Sequence, residues 1–404
     1  MADSHCDVII VGGGIVGLAV ALEITKRFPH LRLLLLEKED RVGQHQSSHN
    51  SGVIHSGVYY KPGSQKAKLC VEGARAMVEF CRAHDIPHEV CGKVIAATYP
   101  DEIPRLEELR LRGEANGLTG LRLIRPEHLR EIEPHASGLR ALVVPSTGIT
   151  DYGKVCEKYA ELICTQGGTI LTSTAVTGLR SLTNEIVVET NGPAFSTTYL
   201  INCAGLFSDR IAAMAGAKPD VIIVPFRGEY YDLIPQRSSL VRSLIYPVPD
   251  PRFPFLGVHF TRRLNGTVDT GPNAVLAFRR EGYRRTDFSL RDMASSMAFP
   301  GFWRMSAKHW RSGLDEFRRS FSKAAFVRAL QRLLPELREE DLIPGGSGVR
   351  AQALRRDGSL VDDFQFVPSG KMLHVLNVPS PAATASLVIG REIVNTAEDA
   401  FSLR

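Results

Sequence analysis

A glycine motif near the start of the chain constrains the fold more than any other feature. Gly12, Gly14 and Gly17 have the spacing G-x-G-x-x-G, after the apolar run 8–11 and before the apolar segment 15–24. This order predicts a strand, a tight turn and a helix whose electropositive N-terminus favours a pyrophosphate. The first glycine allows the turn, the second lets a phosphate approach, and the third lets helix and strand pack closely.

A second apolar run covers residues 31–36 and ends in Glu37. An acidic residue about 20 positions after such glycines binds a ribose hydroxyl in dinucleotide-binding folds. The pattern therefore predicts a site for an adenine dinucleotide. The alternative is a glycine-rich turn in an unrelated α/β unit.

Size and charge limit the classes of partner. The chain has 404 residues, 44% of them hydrophobic, which is enough for a large core and predicts two domains. The net charge of +5 permits an acidic small molecule or anionic lipid as partner. No motif of nucleic-acid-binding proteins occurs in the sequence, so we expect no DNA or RNA partner.

Cysteine usage and hydropathy indicate the compartment. The seven cysteines include no C-x-x-C pair, which favours a reducing compartment over a disulfide framework or a zinc site. The first strand is predicted to begin by Asp7, so we expect no signal or transit peptide before it. No uncharged apolar run reaches the ~18 residues that cross a membrane. A cytoplasmic protein is therefore expected.

The pattern along the chain predicts a nucleotide domain interrupted by a second domain. The polar loop 41–65 is rich in glycine and serine, carries three histidines, and is too unusual for a passive connection. Helical spacing predicts helices at 66–84, 105–115, 151–166, 208–215 and 385–397. Alternating or apolar runs predict strands at 169–177, 185–189, 198–204, 226–233, 256–260 and 372–378.

Five segments spread over the chain identify a family. They are VIIVGGGIVG with Glu37, SSHNSGVIHSGVYYKPGSQKAKLC, NCAGLFSD, GSGVRAQ and NVPSPAATASLVIG. Together they resemble the FAD-dependent oxidoreductases of the D-amino-acid oxidase and glycerol-3-phosphate dehydrogenase type. The second and fifth segments are far more specific than the glycine motif, and they are most similar to members that oxidise L-2-hydroxyglutarate to 2-oxoglutarate.

The resemblance implies one noncovalent FAD, a Rossmann-like α/β domain that binds it, and an α+β substrate domain built on an antiparallel sheet. The FAD-binding domain is expected at 1–84, 146–217 and 345–404, and the substrate domain at 85–145 and 218–344. No cysteine lies in the motifs that attach flavin covalently in two related families. The residues that match cofactor-binding positions of the family are Gly12, Gly14, Gly17, Glu37, Lys38, Gln46, Ser47, Asn50, Ser51, Gly52, Val176, Ala204, Gly205, Pro381, Ala382, Ala383 and Thr384.

Histidines are the candidates for catalysis. Oxidation of a 2-hydroxy acid needs a base for the hydroxyl proton, and histidine titrates near neutral pH. We predict that His55, in the loop expected to face the flavin, is this base; the alternative is a structural histidine bonded to a backbone carbonyl. His259 is predicted to contact substrate or act as a second base; the alternative is a histidine of the core whose hydrogen bonds are satisfied. His49 is expected to orient the loop.

Cations are needed to hold the substrate carboxylates. Arg350 in GSGVRAQ aligns with an arginine that binds the substrate carboxylate in amino-acid oxidases, and its planar fork suits a carboxylate; the alternative is a surface ion pair. The family pattern often has proline next, whereas Ala351 stands here, so the local turn is expected to differ. The candidates for a second anchor are Arg262, Tyr230, Tyr246 and Arg227.

Segment 299–321 contains both tryptophans among many cations. Such an amphipathic helix suits a membrane surface, where the reduced flavin would pass electrons to a quinone at the inner face of the cytoplasmic membrane. The alternative is packing of this helix against the substrate domain. His5, His30, His45 and His135 have no metal-ligand spacing, and no metal is expected.

Two other functions stay open on the sequence alone. One is an FAD-dependent amino-acid or sarcosine-type oxidase, or a dehydrogenase of the glycerol-3-phosphate type. The other is a flavoprotein without catalysis that acts as a structural partner or a partner in tRNA modification.

Overall fold

The computed structural model describes residues 5–250 and 257–401. The strands are β1 (His5–Val11), β2 (Leu33–Leu36), β3 (Val53–Ile54), β4 (His88–Glu89), β5 (Lys93–Ala97), β6 (Arg122–Ile124), β7 (Arg140–Val144), β8 (Gly148–Thr150), β9 (Thr169–Leu171), β10 (Val176–Ser181), β11 (Ile186–Thr190), β12 (Phe195–Asn202), β13 (Val221–Leu233), β14 (Leu244–Pro247), β15 (His259–Arg262), β16 (Val268–Gly271), β17 (Val275–Leu276), β18 (Leu342–Arg355), β19 (Gln365–Ser369) and β20 (Met372–Asn377).

The helices are α1 (Ile15–Arg27), α2 (Gln65–Ala83), α3 (Ile103–Ala115), α4 (Pro126–Ile132), α5 (Tyr152–Thr165), α6 (Ser208–Met214), α7 (Leu290–Met297), α8 (Pro300–Phe321), α9 (Lys323–Leu330) and α10 (Ser386–Phe401). None of these described helices combines the length and the apolar composition that crossing a bilayer requires.

The first sheet has eight strands and carries the predicted nucleotide unit. Its order is β10-β11-β12-β1-β2-β9, with β20 beside β12 and β19 beside β20. Strand β1 pairs in parallel with both β12 and β2. Strands of a parallel sheet are covered on both faces, which explains the continuous apolar run in β1. Helices α1, α2, α5 and α10 pack together in the largest core cluster. The predicted strand, turn, helix and strand are thereby confirmed.

The second sheet has nine strands, in the order β17-β13-β16-β15-β14-β5-β7-β6, with β18 along β13. All its pairs are antiparallel except that of β14 with β5. One face packs against α9 through Phe260 and Phe326, and the other packs against α3 through Ile95 and Leu106. An α/β unit beside a mainly antiparallel sheet agrees with the predicted fold class.

A small third sheet joins the histidine-bearing loop to the rest of the fold. Its order is β3-β8-β4. Strand β3 contains the two residues before His55, and it pairs with β8. The loop is therefore anchored by backbone hydrogen bonds immediately before its candidate base.

The structure changes one predicted domain boundary. Residues 345–355 were expected in the FAD-binding domain, but they belong to β18, which pairs with β13 from Leu342 to Arg355 in the second sheet. Backbone pairing along a long neighbouring strand stabilises this glycine-rich stretch as a strand. The rest of the domain division stays a prediction.

Two predicted strands also differ. The run 169–177 is broken into β9 and β10, because Ser173 adopts a φ of +53°. The N–H groups of Ser173 and Thr174 donate to the carbonyl oxygens of Glu39 and Glu37, so the chain bends toward the end of β2. In the predicted strand 256–260, residue 256 lies outside the described residues, and β15 begins at His259.

Candidate functional site

The turn between β1 and α1 has a shape that admits a pyrophosphate. Gly12 has a φ of +110°, and a Cβ there would lie 2.5 Å from the carbonyl oxygen of Cys203. A Cβ on Gly17 would lie 2.0 Å from the carbonyl oxygen of Gly12, so only glycine permits this close approach. A Cβ on Gly14 would meet the Ser47 hydroxyl at 3.4 Å and no other described heavy atom within 4 Å. The helix N-terminus is therefore open on that side.

Glu37 follows β2 and lies directly behind the glycine turn. Its side chain is buried; Oε2 accepts a hydrogen bond from the Gly13 N–H at 2.6 Å, and Oε1 accepts one from the Glu39 N–H at 2.9 Å. Each carboxylate oxygen has a second lone pair, so capacity for a ribose hydroxyl remains. Val176 lies just after Thr174, whose N–H binds the Glu37 carbonyl. The strand residue predicted to meet the adenine is therefore near Glu37.

The loop 45–52 crosses the N-terminus of α1. Ser47 Oγ accepts a hydrogen bond from the Ile15 N–H at 2.9 Å. Asn50 Nδ2 donates to two carbonyl oxygens of the loop, and its Oδ1 accepts from the Gly52 N–H at 2.8 Å. Ser51, between them, is half-buried. The loop's own side chains thus fix the segment predicted to pass the flavin.

Gln46 connects this loop to the second sheet. Its Oε1 accepts a hydrogen bond from the Ala351 N–H at 2.9 Å. Its Nε2 lies 3.5 Å from the position that a Cβ would take on Gly205, the residue after Ala204. Proline at 351 would have no N–H to donate. The departure from the family pattern therefore permits a bond that fixes β18 one residue after Arg350.

The turn 381–384 before α10 holds the loop that carries His55. The Thr384 hydroxyl accepts a hydrogen bond from the His55 N–H at 3.1 Å and donates to the carbonyl oxygen of Val53 at 3.2 Å. The Tyr152 hydroxyl is 3.0 Å from the Thr384 hydroxyl and donates to the same carbonyl. The two segments predicted to face the flavin therefore form one hydrogen-bonded unit.

Buried polar atoms without partners gather where this loop faces the second sheet. Among the described residues, His55 Nδ1, the Tyr59 hydroxyl and Lys93 Nζ have no hydrogen-bond partner. The Lys93 ammonium lies 4.4 Å from the ring centroid of Tyr59 and 4.7 Å from that of Tyr246. Most buried polar atoms in proteins have a partner. This group therefore marks a place for a polar ligand.

Burial sets the protonation state of His55. It lowers the pKa of the imidazole to about 3, and the positive charges of Lys93 and His259 act in the same direction. The ring is therefore neutral near pH 7, and its buried Nδ1 has no partner among the described residues. A neutral imidazole can accept a proton, as the predicted base must.

His259 lies on the same face of the second sheet as Tyr246. Their rings are stacked with centroids 3.9 Å apart. The His259 Nδ1–H donates to the carbonyl oxygen of Gly257 at 2.9 Å, which leaves Nε2 as the acceptor. Burial lowers the pKa of His259 to about 3, a shift that the charges of Lys93 and Arg350 reinforce. His259 is therefore a neutral, oriented imidazole within range of both cations.

Arg350 lies on β18 opposite Phe226 and is half-buried. Its Nη1 donates to the carbonyl oxygen of Asn273 at 3.4 Å, a long bond that still directs the guanidinium. Burial raises the pKa of Tyr230 to about 12, and the positive charge of Arg350 acts against this shift. The structure thus places Arg350 within electrostatic range of both Tyr230 and His259.

Two predicted anchors are bound elsewhere. Arg262 forms an ion pair with Glu89, and strand alternation places it on the face of β15 opposite to His259. Arg227 is buried, and its Nη2 lies 2.9 Å from a carboxylate oxygen of Glu229. Because each charge is already neutralised by a carboxylate, the structure does not support either arginine as the second anchor.

Lys38 likewise forms ion pairs with carboxylates of the protein. Its Nζ lies 2.5 Å from Glu281 and also pairs with Glu39, so the structure does not support a contact with the cofactor. His45 joins this cluster, with Nε2 2.9 Å from Glu39 and 3.1 Å from Glu281. Glu39, His45 and Glu281 have the spacing of metal ligands. The Lys38 ammonium already pairs with both carboxylates, and we propose no metal there.

Lys93 and Tyr59 are the candidate site residues that the sequence analysis missed. Lys93 starts the apolar run KVIAA, where a single lysine is typical of an exposed strand end. It is instead 2% exposed, because β5 is an inner strand between β14 and β7. No specific sequence signal marks Lys93, because Glu89, four residues earlier, suggests an ordinary partner for its charge.

Comparison with known proteins agrees with the resemblance. The family described as FAD dependent oxidoreductase matches residues 7–396. L-2-hydroxyglutarate dehydrogenase of Indibacter alkaliphilus is 50% identical over 395 residues, which cover 98% of this chain and 99% of that protein. The mitochondrial L-2-hydroxyglutarate dehydrogenase of Homo sapiens is 45% identical, with coverage of 99% and 90%. That of Escherichia coli is 45% identical, with coverage of 96% and 92%.

Solved structures show the same fold at lower identity. Reduced L-alpha-glycerophosphate oxidase from Mycoplasma pneumoniae, with FAD bound, has a TM-score of 0.79 at 23% identity and covers 98% of this chain and 95% of its own. Glycine oxidase from Geobacillus kaustophilus has a TM-score of 0.73 at 18% identity, with the same coverage. The names of these two proteins indicate different substrates. The structural similarity therefore supports the fold, and the substrate has to be inferred from the site and from the more similar relatives.

Proposed function

Because the chain belongs to the family of FAD-dependent oxidoreductases, we propose that it oxidises L-2-hydroxyglutarate to 2-oxoglutarate. The observation that carries this proposal is the 50% identity over 98% of the chain to a relative of that activity. The site supports it with a neutral imidazole at His55 and a guanidinium at Arg350, whose fork matches a carboxylate.

The residues described around α1 fit FAD. The close approaches at Gly12 and Gly17 leave no space for a Cβ, while the helix N-terminus beside Gly14 is open for a pyrophosphate. Glu37 would hold the ribose, and the turn 381–384 would lie along the flavin. When bound, FAD supplies the hydride acceptor: N5 of its ring system takes the hydride that leaves C2 of the substrate.

We expect the cofactor to be held without a covalent bond. All seven cysteines are free thiols. Burial raises the pKa of Cys70, Cys156 and Cys203 to about 12 in each case. A protonated thiol is a poor nucleophile, so these side chains have the wrong form for attachment to a flavin.

The remaining chemistry belongs to the side chains. Arg350 would bind the carboxylate next to C2 and thereby orient that carbon. His55 would accept the hydroxyl proton as the C2–H bond breaks, and it is neutral beforehand because burial lowers its pKa to about 3. A dicarboxylate brings negative charge beside the imidazole, which raises its affinity for the proton during the reaction. His259 would contact the substrate through Nε2.

We expect L-2-hydroxyglutarate to bleach the flavin absorbance of the purified holoenzyme in the absence of oxygen. Four other compounds should leave at least 90% of the absorbance unchanged over the same interval: the D enantiomer, glycine, sarcosine and glycerol 3-phosphate. Each of them lacks or misplaces at least one group that the site binds, and we expect this to slow flavin reduction by at least about tenfold. Stopped-flow spectroscopy measures the rates. Bleaching by an amino acid and not by L-2-hydroxyglutarate would replace this function with that of an amino-acid oxidase. Bleaching by no member of the panel would favour a flavoprotein without this catalysis.

Helix α8 supports a membrane-bound quinone as electron acceptor. Its Phe302 and Met305 pack against the second sheet, whereas Trp303 and Trp310 are more than half exposed. Between α8 and the sheet lies an apolar cavity of about 600 Å³, whose lining includes Phe302 and Phe317. The helix therefore combines the predicted packing with an exposed aromatic surface, beside a space suited to an apolar ring.

We expect the protein to sediment with vesicles that contain anionic phospholipid, because exposed tryptophans and cations favour that interface. The double variant Trp303→Ala/Trp310→Ala should reduce the bound fraction by about fivefold, since two large apolar side chains are lost. A matched control, Leu111→Ala/Leu182→Ala, removes apolar side chains that are also about half exposed but belong to α3 and to the segment after β10. Equal binding by both double variants, or no binding by the unmodified protein, would reject the membrane contact.

A further inference from the structure

Lys93 has an environment that the proposed chemistry has not yet explained. The residue is 2% exposed, and its Nζ has no hydrogen-bond partner among the described residues. No described carboxylate forms an ion pair with it, whereas other largely buried cations do: Arg210, Arg227 and Arg280 each pair with a carboxylate. A buried ammonium without a counterion is strongly unfavourable, and burial lowers the pKa of Lys93 to about 7. Its retention at this position therefore indicates an anionic partner that is not part of the chain.

Two residues next to Lys93 in the fold carry buried hydroxyls without partners among the described residues. The Tyr59 hydroxyl is buried and unpaired, and the Tyr59 ring centroid is 4.4 Å from Lys93 Nζ. The hydroxyl of Thr147 is also buried and unpaired, and the Thr147 carbonyl accepts a hydrogen bond from Gly92, the residue before Lys93. A carboxylate accepts about four hydrogen bonds and suits such a set of donors. The partner that this chemistry selects is a carboxylate.

The position of Lys93 relates it to the site already described. Its Nζ lies 4.7 Å from the ring centroid of Tyr246, and that ring stacks on His259 with centroids 3.9 Å apart. Burial lowers the pKa of His55 and of His259, the positive charge of Lys93 acts in the same direction on both, and that of Arg350 acts on His259 as well. Two cations thus lie within electrostatic range of one imidazole. A substrate with a carboxylate at each end can neutralise both, whereas a monocarboxylate leaves one buried charge without a partner.

We propose that the Lys93 ammonium, together with the Tyr59 hydroxyl, binds the distal carboxylate of the substrate and so selects a dicarboxylate over a monocarboxylate of equal chain length. This inference rests on the proposed function and extends it, because it assigns the second anchor that Arg262 and Arg227 do not provide.

The test removes the charge from the enzyme and from the substrate in turn. L-2-hydroxyvalerate has the same five-carbon chain as L-2-hydroxyglutarate, with a methyl group in place of the distal carboxylate. We expect kcat/KM of the unmodified holoenzyme to favour the dicarboxylate by about 10²- to 10³-fold. Lys93→Met should lower kcat/KM for the dicarboxylate by about 10²-fold and for L-2-hydroxyvalerate by less than threefold, so the preference shrinks to about 30-fold or less.

A binding measurement provides a readout without turnover. Calorimetry with glutarate, which lacks the reactive hydroxyl, should show at least 30-fold weaker binding to Lys93→Met and to Lys93→Gln. Both variants should keep their flavin content and their melting temperature, because removal of an uncompensated buried charge does not destabilise the fold. The matched control is Lys66→Met, since Lys66 also lies over a tyrosine ring, at 5.2 Å, but is paired with Asp362.

The outcomes separate the inference from the proposed function. Equal losses for both substrates in Lys93→Met, or unchanged glutarate affinity, would overturn the role of Lys93 even if L-2-hydroxyglutarate is the best substrate. If the unmodified enzyme oxidises neither compound, the proposed function fails, and the glutarate measurement alone decides whether Lys93 binds a carboxylate. A selective loss for the dicarboxylate in Lys93→Met but not in Lys66→Met would support the assignment.

Discussion

Replacement of His55 by alanine is expected to lower the rate of flavin reduction by L-2-hydroxyglutarate by about 10²- to 10⁴-fold, the usual contribution of a general base. The buried His55 Nδ1 has no partner among the described residues, so the substitution breaks no side-chain hydrogen bond there. The backbone of His55 stays anchored, because its N–H donates to Thr384 and its carbonyl accepts from the Cys70 thiol at 3.3 Å. Loss of activity should therefore occur with normal flavin content.

Anaerobic single-turnover reduction measures this effect without interference from the electron acceptor. The matched control is His135→Ala, since His135 is a partly exposed histidine whose ring contacts Glu336 far along the chain from the loop. It should change the rate by less than about twofold, as expected for a surface substitution. A reduction rate in His55→Ala within threefold of the unmodified enzyme would exclude His55 as the base.

The same assignment fixes the direction of the pH dependence. His55 must be neutral to accept a proton, and burial lowers its pKa to about 3 in the free protein. Protonation of His55 therefore inactivates the enzyme only as the pH falls toward 3, far below the 6.5 of an ordinary histidine. The charges of a bound dicarboxylate raise this pKa, so the acidic limb of kcat should lie at higher pH than that of kcat/KM.

The parts of the site that follow from local sequence were predictable. The glycine turn and Glu37 depend on a strand, a turn and a helix that adjoin in sequence, and the structure places them in contact. Spacing alone carries this information for Gly17, because its close approach is to the Gly12 carbonyl of the same turn. The loop around His55 was also located, since its composition differs from that of a passive connection.

The parts that depend on distant strand pairing were not predictable. Lys93 is buried because β5 lies between β7 and β14, which are far from each other in sequence. The charges of Arg262 and Arg227 are neutralised by partners that only the fold identifies. The glycine-rich segment before Arg350 forms part of a strand because β13 pairs along it, a contact that its own side chains do not indicate. Residue type suggested candidates, and strand pairing decided which of them are bound to carboxylates of the protein.

Replacement of Arg350 by lysine is expected to raise KM for L-2-hydroxyglutarate by about 10- to 100-fold, with kcat reduced by less than about fivefold. A guanidinium binds a carboxylate through two parallel N–H groups, whereas an ammonium is a point charge on a flexible chain. Lysine keeps the positive charge in this half-buried position, so the main loss is in binding geometry. The long bond from Arg350 Nη1 to the Asn273 carbonyl, at 3.4 Å, is too weak for its loss to disturb the strand.

Steady-state kinetics of Arg350→Lys should be compared with those of Arg355→Lys, an exposed arginine at the end of the same strand. The control should alter KM by less than twofold, because surface substitutions have small effects. A large fall in kcat at unchanged KM would instead mean that Arg350 acts in the transition state and not in binding. A hydrogen bond from the Ala351 N–H to Gln46 connects β18 to the loop 45–52. A third variant, Ala351→Pro, removes that donor and leaves Arg350 itself intact. If the position of the guanidinium depends on this bond, Ala351→Pro should raise KM in the same direction as Arg350→Lys.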